Sequence, residues 1–261
     1  MNMPGVKPDA AHFVENDQWP PPPGTLALES DEVHLWRATL DKRAALVKSL
    51  WQTLAADERA KADRFYFERD RKHFIVARGV LRDILGRYLN RAPDQLHFCY
   101  SGHGKPALAP ESAGGTFRFN LSHSHGLALY AVTQGREIGV DLERIRPDLA
   151  IEEIAERFFS AREVAVLLAL PERLRPEAFF NCWTRKEAYI KARGEGLTLP
   201  LDEFDVSLAP GEPAALLSVR ANLHEAARWS LRELAPGPGY KAALAAEGRI
   251  WRLKCWQWIR Q

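Results

Sequence analysis

The chain has 261 residues, of which 46% are hydrophobic, and this is enough to bury a sizeable core. Its formal net charge is only +2 at pH 7, so the composition excludes a strongly basic nucleic-acid binder, and we expect no nucleic-acid partner. The three cysteines lack metal or redox spacing, and no apolar run approaches membrane-spanning length, so we expect a cytoplasmic protein without a membrane partner.

The N-terminal segment, residues 1–25, is polar and ends in a proline run, Pro20–Pro23, followed by Gly24. Such a sequence buries little apolar surface and favours extended polyproline geometry. We therefore expect residues 1–25 to form an extended tail outside the folded body.

From residue 26 onward, strand and helix patterns alternate. Alternation of polar and apolar residues predicts a strand over Glu32–Ala38, and an apolar stripe predicts a long helix over Arg69–Leu89. Ser101–Pro106 is typical of a turn, and Ser122–Gly126 of a polar connection between strands. The other elements predicted here are helices at Lys42–Thr53 and Asp57–Phe67, and strands at Gln95–Tyr100, Phe117–Leu121 and Leu127–Thr133.

The chain then repeats this plan. Arg64-Phe65-Tyr66-Phe67 is similar to Arg157-Phe158-Phe159-Ser160, and each copy follows a strand and a helix. We predict an α+β fold of two similar halves, residues 26–135 and 136–261, with a ligand cleft between them. The helices predicted in the second half are Ile151–Phe158, a helix that a capping box of Ser160 and Glu163 opens, and Glu177–Ala192. The strands predicted there are Glu137–Glu143, Glu203–Leu208, Ala227–Leu234, Tyr240–Ala246 and Trp251–Gln257.

Three carboxylates of the second half could bind a metal ion or take part in catalysis. Asp141 and Glu143 are two residues apart on a strand and point to one face, whereas Glu187 and Lys191 are one helical turn apart. The ordinary interpretation is a solvated strand face and a surface ion pair, with Trp183 packing beside them. The functional interpretation is a Mg²⁺ site, because Mg²⁺ prefers carboxylate oxygens and is often completed by substrate phosphates.

Two polar segments of the first half allow similar alternatives. Ser101–Pro106 lacks the residues of a P-loop, so it is either a hairpin turn or a tight backbone against a phosphorylated ligand. Ser122 and His123 could bind a phosphate or belong to an ordinary loop, and nothing in their spacing suggests a Ser-His-Asp hydrolase. The basic residues between Arg59 and Arg91 are most simply a solvated helix face, although some of them could instead reach a phosphate in the cleft.

Five motifs, taken in order, resemble those of the Sfp-type 4′-phosphopantetheinyl transferases. The resemblance covers roughly Ala56 to Ala246. The matching segments are Gly104-Lys105-Pro106, Phe119–Ser124, Gly139–Glu143, Arg157–Ser160 and Trp183–Lys191.

The resemblance implies a pseudo-dimeric fold and a Mg²⁺-dependent transfer of 4′-phosphopantetheine from coenzyme A to a serine of an apo acyl or peptidyl carrier protein. The by-product would be 3′,5′-ADP. Because both halves are in one chain, we expect a monomer. The resemblance also implies residue roles. Mg²⁺ would be bound by Asp141, Glu143 and Glu187, and Asp141 would contact coenzyme A as well. Glu187 would accept the serine proton, and Lys191 would contact the phosphates. The adenine end would be bound by Gly104, Lys105 and Pro106, and the 3′-phosphate and pyrophosphate by Ser122, His123, Lys61 and Arg59.

Three positions depart from the family pattern. Glu58 replaces a basic phosphate contact of some members, Phe74 replaces a hydroxyl residue, and Lys241 replaces an apolar one. Two alternative functions stay open from sequence: a Mg²⁺-dependent phosphohydrolase using the same carboxylates, and a non-catalytic sensor of coenzyme A or carrier protein. The sensor would be expected to lack one of the four central charged residues.

Overall fold

The computed structural model describes residues 19–113, 116–194 and 196–260. Most of the predicted tail, residues 1–18, lies outside the described residues. At its end, the Trp19 indole Nε1 donates to the Ala235 carbonyl at 3.1 Å, and the Arg37 guanidinium lies 4.9 Å from the Trp19 ring centroid. This part of the tail therefore packs on the folded body.

Helices and strands both build the fold, which confirms the α+β prediction. The helices are α1 Ala44–Thr53, α2 Ala56–Ala62, α3 Glu68–Leu89, α4 Pro110–Ala113, α5 Ile151–Phe158, α6 Ala161–Ala169, α7 Arg175–Arg193 and α8 Glu225–Arg228. The strands are β1 Glu32–Thr39, β2 Phe98–Tyr100, β3 Pro106–Leu108, β4 Phe117–Ser124, β5 Leu127–Gln134, β6 Ile138–Arg144, β7 Phe204–Val206, β8 Leu216–Val219, β9 Trp229–Leu234, β10 Tyr240–Glu247 and β11 Arg252–Gln257. None of the helices in the described ranges has the length and apolarity needed to cross a bilayer.

Two larger sheets form the centre of the protein. One has the strand order β11-β1-β5-β4 and the other the order β6-β10-β9. Strand β11, which a division at residue 135 assigns to the second half, pairs in parallel with β1 of the first half, with Glu32 opposite Arg252. Chain order alone therefore does not assign this last strand to a sheet.

Alternating side chains place these sheets between two helical layers. On β5, Tyr130 belongs to the core beneath α3, whereas Leu129 belongs to a core between the two sheets. On β10, Ala243 packs with α7 and Leu244 faces the core between the sheets. One long helix thus covers each sheet, and the sheets pack against each other through their remaining faces.

Local sequence accounts for several boundaries. The predicted capping box is confirmed: the Glu163 backbone N–H donates to Ser160 Oγ at 3.2 Å, and the Ser160 N–H donates to Glu163 Oε2 at 2.9 Å. The helix predicted to reach Phe67 ends at Ala62 instead. A turn follows, and it exposes Tyr66 at 92% of its surface.

The interpretation of the basic α3 residues as a solvated face is wrong for Arg78 and Arg82. Both are buried, and their Nε atoms donate to the buried Glu58 carboxylate at 2.8 and 2.7 Å. Arg78 also donates to the Tyr100 hydroxyl at 2.8 Å. Glu58 therefore bonds to two interior guanidinium groups and offsets one of their two positive charges, which explains an acid at this position.

We expect Glu32→Gln to weaken the fold in a pH-dependent way. Burial alone would raise the pKa of Glu32, but hydrogen bonds from Lys254, His34 and the Glu29 backbone lower it to about 2. Because the carboxylate is favoured in the folded state, its contribution is complete above about pH 4.5 and is lost as the pH falls through 2. Urea unfolding should show a destabilisation of about 3 kcal/mol near pH 7 that falls to about half near pH 3. An equal difference at both pH values would contradict the assignment.

Candidate active site

The two sheets meet along a seam between β4 and β6. Side chains of β4 accept the N–H groups of alternate β6 residues, in place of a backbone ladder. The pairs are Val140 N–H to Asn120 Oδ1 at 2.9 Å, Leu142 N–H to Ser122 Oγ at 3.3 Å and Arg144 N–H to Ser124 Oγ at 3.3 Å. The segment predicted as a polar connection is therefore the end of strand β4, and its polar residues join the two halves.

A cavity of about 420 Å³ lies beside this seam. It is lined by Leu121, Ser122, His123, Asp141, Glu143, Trp183, Glu187 and Lys191. The three predicted metal ligands therefore share one cleft with three of the predicted phosphate contacts, Ser122, His123 and Lys191. The interpretation of the acidic strand face as solvated is wrong for Asp141, which is only 3% exposed.

Helix α7 covers the acidic face of β6 because Gly139 permits close approach. A Cβ atom at Gly139 would lie 2.1 Å from the Ala188 carbonyl oxygen and 2.4 Å from the Ala192 nitrogen. Trp183 packs against two aromatic rings at the end of α5, with centroid distances of 6.0 Å to Phe158 and 6.4 Å to Phe159. These contacts fix the position and rotation of α7, and Glu187 and Lys191 consequently reach the cavity.

The carboxyl groups of the cleft disfavour one another's charge. Burial, followed by the charge of Asp141, raises the pKa of Glu143, and the same two causes raise the pKa of Glu187. Carboxylates arranged in this way favour a cation between them.

Lys191 supplies part of the positive charge. Its Nζ atom donates to Asp141 Oδ1 at 2.6 Å and to Ser122 Oγ at 3.1 Å. The ordinary interpretation of the sequence was a surface pair of Lys191 with Glu187, but the lysine instead pairs across the seam with the strand acid Asp141. The other oxygen, Asp141 Oδ2, is buried and has no hydrogen-bond partner among the residues that the structure describes.

These acids do not form a closed metal cluster as they stand. Among the described residues, no three His, Cys, Asp or Glu side chains are grouped closely enough to hold an ion. The orphaned Asp141 Oδ2 and the half-buried Glu143 and Glu187 nevertheless provide oxygen ligands of the type that Mg²⁺ accepts.

A second cavity, of about 260 Å³, borders on the first and shares Leu121, Glu187 and Lys191 with it. Its further lining residues are His103, Gly104, Lys105, Pro106, Asn120, Ile190, Gly194 and Gly196. The predicted turn thus lies against the C-terminal end of α7, where Gly194 adopts a left-handed conformation. Lys105 Nζ donates to the carbonyls of Ile138 and Ala192, both at 3.3 Å, and so ties the turn to the second half.

Arg59 and Lys61 lie apart from these two cavities. Arg59 donates to the Gln52 carbonyl at 2.9 Å, and the Lys61 ammonium lies 5.6 Å from the Phe74 ring centroid. In the described part of the chain, neither residue lines the cleft. Their proposed contact with the 3′-phosphate therefore stays a prediction.

Two charged residues were not understood from sequence. Lys186 is fully buried and donates to the carbonyls of Leu201 and Phe204, and it pairs with Glu163 at 2.8 Å. Lys241 pairs with Glu177 and Glu233 at 2.7 and 2.8 Å, so this departure from the family pattern is compensated by two acids. The positions of both lysines beside α7 support the helix that carries Glu187.

Comparison with known proteins gives a consistent result along the chain. The sequence model described as "4'-phosphopantetheinyl transferase, N-terminal" matches residues 34–135, and that of the 4′-phosphopantetheinyl transferase superfamily matches residues 137–245.

Three named relatives illustrate the similarity. The 4′-phosphopantetheinyl transferase HetI of Nostoc sp. is 45% identical over 92% of this chain and 98% of its own length. Sfp of Bacillus subtilis is 32% identical over 59% of this chain and 66% of its own length. The L-aminoadipate-semialdehyde dehydrogenase-phosphopantetheinyl transferase of Mus musculus is 28% identical over 60% of this chain and 54% of its own length. With its two halves, its cleft and these relatives, the chain belongs to the 4′-phosphopantetheinyl transferase superfamily.

Proposed function

We propose that this chain uses Asp141, Glu143, Glu187 and Lys191, with Mg²⁺, to transfer the 4′-phosphopantetheine group of coenzyme A to a serine of an apo carrier protein. The observation that carries the proposal is the convergence of these four side chains on one cavity between the two halves. The reaction forms a bond between the serine oxygen and the β-phosphorus of coenzyme A. It breaks the bond from that phosphorus to the oxygen bridging the two phosphates, so 3′,5′-ADP leaves with the bridging oxygen and the serine proton is released.

Asp141, Glu143 and Glu187 would hold the metal. The buried, unpartnered Asp141 Oδ2 and the raised pKa values of the two glutamates support this assignment. Bound Mg²⁺ would supply positive charge to the pyrophosphate oxygens.

The Lys191 ammonium would offset the negative charge of the same pyrophosphate oxygens. Its ammonium is held at the seam by Asp141 and Ser122, within reach of a ligand in either cavity. A preorganised cation there stabilises charge that develops as the pyrophosphate separates. Glu187 lines the same cavity, and we assign to it the role of accepting the proton of the attacking serine.

The turn residues Gly104, Lys105 and Pro106 are assigned to the adenine end, because they line the neighbouring cavity. Ser122 and His123 are assigned to the phosphates from their position in the larger cavity. In this proposal, coenzyme A lies along β4, from the turn to the carboxylates.

A single assay tests the proposed reaction. The protein is incubated with coenzyme A, Mg²⁺ and an apo carrier protein, and the carrier is weighed by mass spectrometry. A mass gain of one phosphopantetheine group is expected, and it should disappear with EDTA. Phosphate release from simple esters without a carrier would instead indicate a phosphohydrolase, and binding of coenzyme A without any transfer would indicate a sensor.

Both halves of one chain line the cleft, which supports a monomer as the acting unit, and light scattering tests this state. The free thiols of Cys99, Cys182 and Cys255 are compatible with the proposed cytoplasmic location.

We expect Glu187→Gln to reduce carrier modification about 100-fold or more, because the amide cannot accept the serine proton and is a weaker metal ligand. Rates should be measured by mass spectrometry at several Mg²⁺ concentrations. Glu177→Gln is the matched control, since Glu177 is on the same helix but pairs with Lys241 outside the cleft. Near-normal turnover of Glu187→Gln would exclude both roles of this residue.

A further inference from the structure

The three β4 side chains that accept N–H groups of β6 differ in their other hydrogen bonds. These side chains are Asn120, Ser122 and Ser124. Asn120 accepts the Val140 N–H beside Gly139, which has no side chain to orient. Ser122 accepts the Leu142 N–H and donates to Asp141 Oδ1 at 3.0 Å, but Lys191 also contacts both of these side chains. Asp141 is therefore held by two partners.

Ser124 has a simpler arrangement around Glu143. It is 8% exposed, and its hydroxyl donates to Glu143 Oε2 at 2.9 Å. Its oxygen also accepts the Arg144 N–H at 3.3 Å and lies 3.1 Å from His125 Nδ1. A carboxylate only accepts hydrogen bonds, so the serine proton goes to Glu143, and the oxygen can accept from the Arg144 N–H and from an Nδ1-protonated His125.

Without this partner, the Glu143 carboxylate would have several rotamers available. Among the side-chain hydrogen bonds of the described residues, the one to Glu143 comes from Ser124. Lys191, the nearby ammonium, bonds to Asp141 and Ser122 instead. The orientation of Glu143 in the cleft therefore depends on one neutral hydroxyl from the other half of the protein.

We infer that Ser124 is a positioning residue, whose hydroxyl orients the Glu143 carboxylate as a metal ligand while its oxygen closes the edge of β6. The inference rests on the proposed function, in which Glu143 binds Mg²⁺. Hydrogen bonds to ligating carboxylates tune metal affinity, and their loss commonly costs 10- to 100-fold.

The test compares Ser124→Ala, Ser124→Thr and Ser218→Ala with the full-length wild-type protein. Ser218 is the matched control, because its hydroxyl donates to Asp205 Oδ2 at 2.7 Å, between β7 and β8. Mg²⁺ is titrated calorimetrically into each protein with coenzyme A present and no carrier. We expect the Mg²⁺ Kd to rise about tenfold in Ser124→Ala and to stay within about twofold in Ser124→Thr and Ser218→Ala.

Thermal unfolding separates positioning from general damage. Both alanine variants should stay folded, with a loss of a few degrees in Tm for Ser218→Ala and a somewhat larger loss for Ser124→Ala, because Ser124 also accepts the Arg144 N–H. A wild-type Mg²⁺ affinity in Ser124→Ala, or the same weakening in Ser218→Ala, would overturn the inference.

Crystal structures of the wild type and Ser124→Ala give a readout that is independent of the metal. We expect the Glu143 carboxylate to leave its wild-type position in the variant. An unchanged Glu143 would overturn the positioning role, even if the metal affinity changed. If the wild-type protein bound no Mg²⁺, the proposed use of the metal would fail, and the Glu143 position alone would decide the role of Ser124.

Discussion

Asp141→Asn is expected to reduce carrier modification by a factor on the order of 10³ while the protein stays folded. The amide keeps the shape of the side chain and an oxygen for Lys191 Nζ, which now donates to Asp141 Oδ1 at 2.6 Å. It removes the negative charge and offers a poor metal ligand in place of the buried Oδ2 atom. The measurement is the rate of mass gain on an apo carrier protein with saturating coenzyme A.

Stability should change little in this variant, because two effects oppose each other. The Lys191 ion pair is weakened, but the charge of Asp141 also raises the pKa values of Glu143 and Glu187, and that repulsion is relieved. Asp205→Asn is the control: Asp205 is also a buried strand acid, and it bonds to Ser218 and Arg220 outside the cleft.

The control should lose stability and keep its transfer rate, whereas Asp141→Asn should do the reverse. Circular dichroism and thermal unfolding measure the folded state of both proteins. If Asp141→Asn or Asp141→Ala instead collapsed the fold, Asp141 would be a structural residue.

The prediction of β6 was correct in its alternation but incomplete in its surroundings. The sequence places Ile138, Val140 and Leu142 on one face and the two acids on the other, and the first set does lie in the core between the sheets. The same pattern gives no measure of what covers the acidic face. That face is buried by α7, which lies far along the chain, so the ordinary interpretation of a solvated face was wrong for Asp141.

Strand β4 shows a second limit. Its polar end, Ser122-His123-Ser124, resembles a loop because strand prediction expects alternating apolar residues. In the structure, Ser122 and Ser124 replace a backbone ladder with β6, so their polarity is required by the seam. Pairing between distant segments, as for β11 beside β1, likewise depends on topology that local pattern does not contain.

The role of the motif residues came from the resemblance, and the fold explains why they occur together. A helical turn separates Glu187 from Lys191, and one strand repeat separates Asp141 from Glu143, so each pair was predictable as a pair. Their meeting required the approach of α7 to β6. Gly139 is the residue that permits this approach, and its substitution is the sharpest test of the architecture.

Gly139→Ala is expected to destabilise the protein by about 3 kcal/mol or more and to abolish most of its transfer activity. The added Cβ would lie 2.1 Å from the Ala188 carbonyl oxygen, 2.4 Å from the Ala192 nitrogen and 2.9 Å from the Lys191 carbonyl carbon. These are backbone atoms of α7, so no side-chain rotation can relieve the overlap, and the helix must move away from β6. Glu187 and Lys191 would move with it and leave the reach of the acids on β6.

Urea unfolding and the carrier mass assay measure the two effects. Gly24→Ala is the control, because a Cβ at Gly24 meets no atom of the described residues within 4 Å. Activity per folded molecule is the decisive quantity. A displaced helix lowers it even under conditions in which Gly139→Ala is fully folded, whereas a purely energetic effect of overpacking would leave it unchanged. Wild-type stability and activity in Gly139→Ala would show that α7 does not need this contact to bring Glu187 and Lys191 to the strand acids.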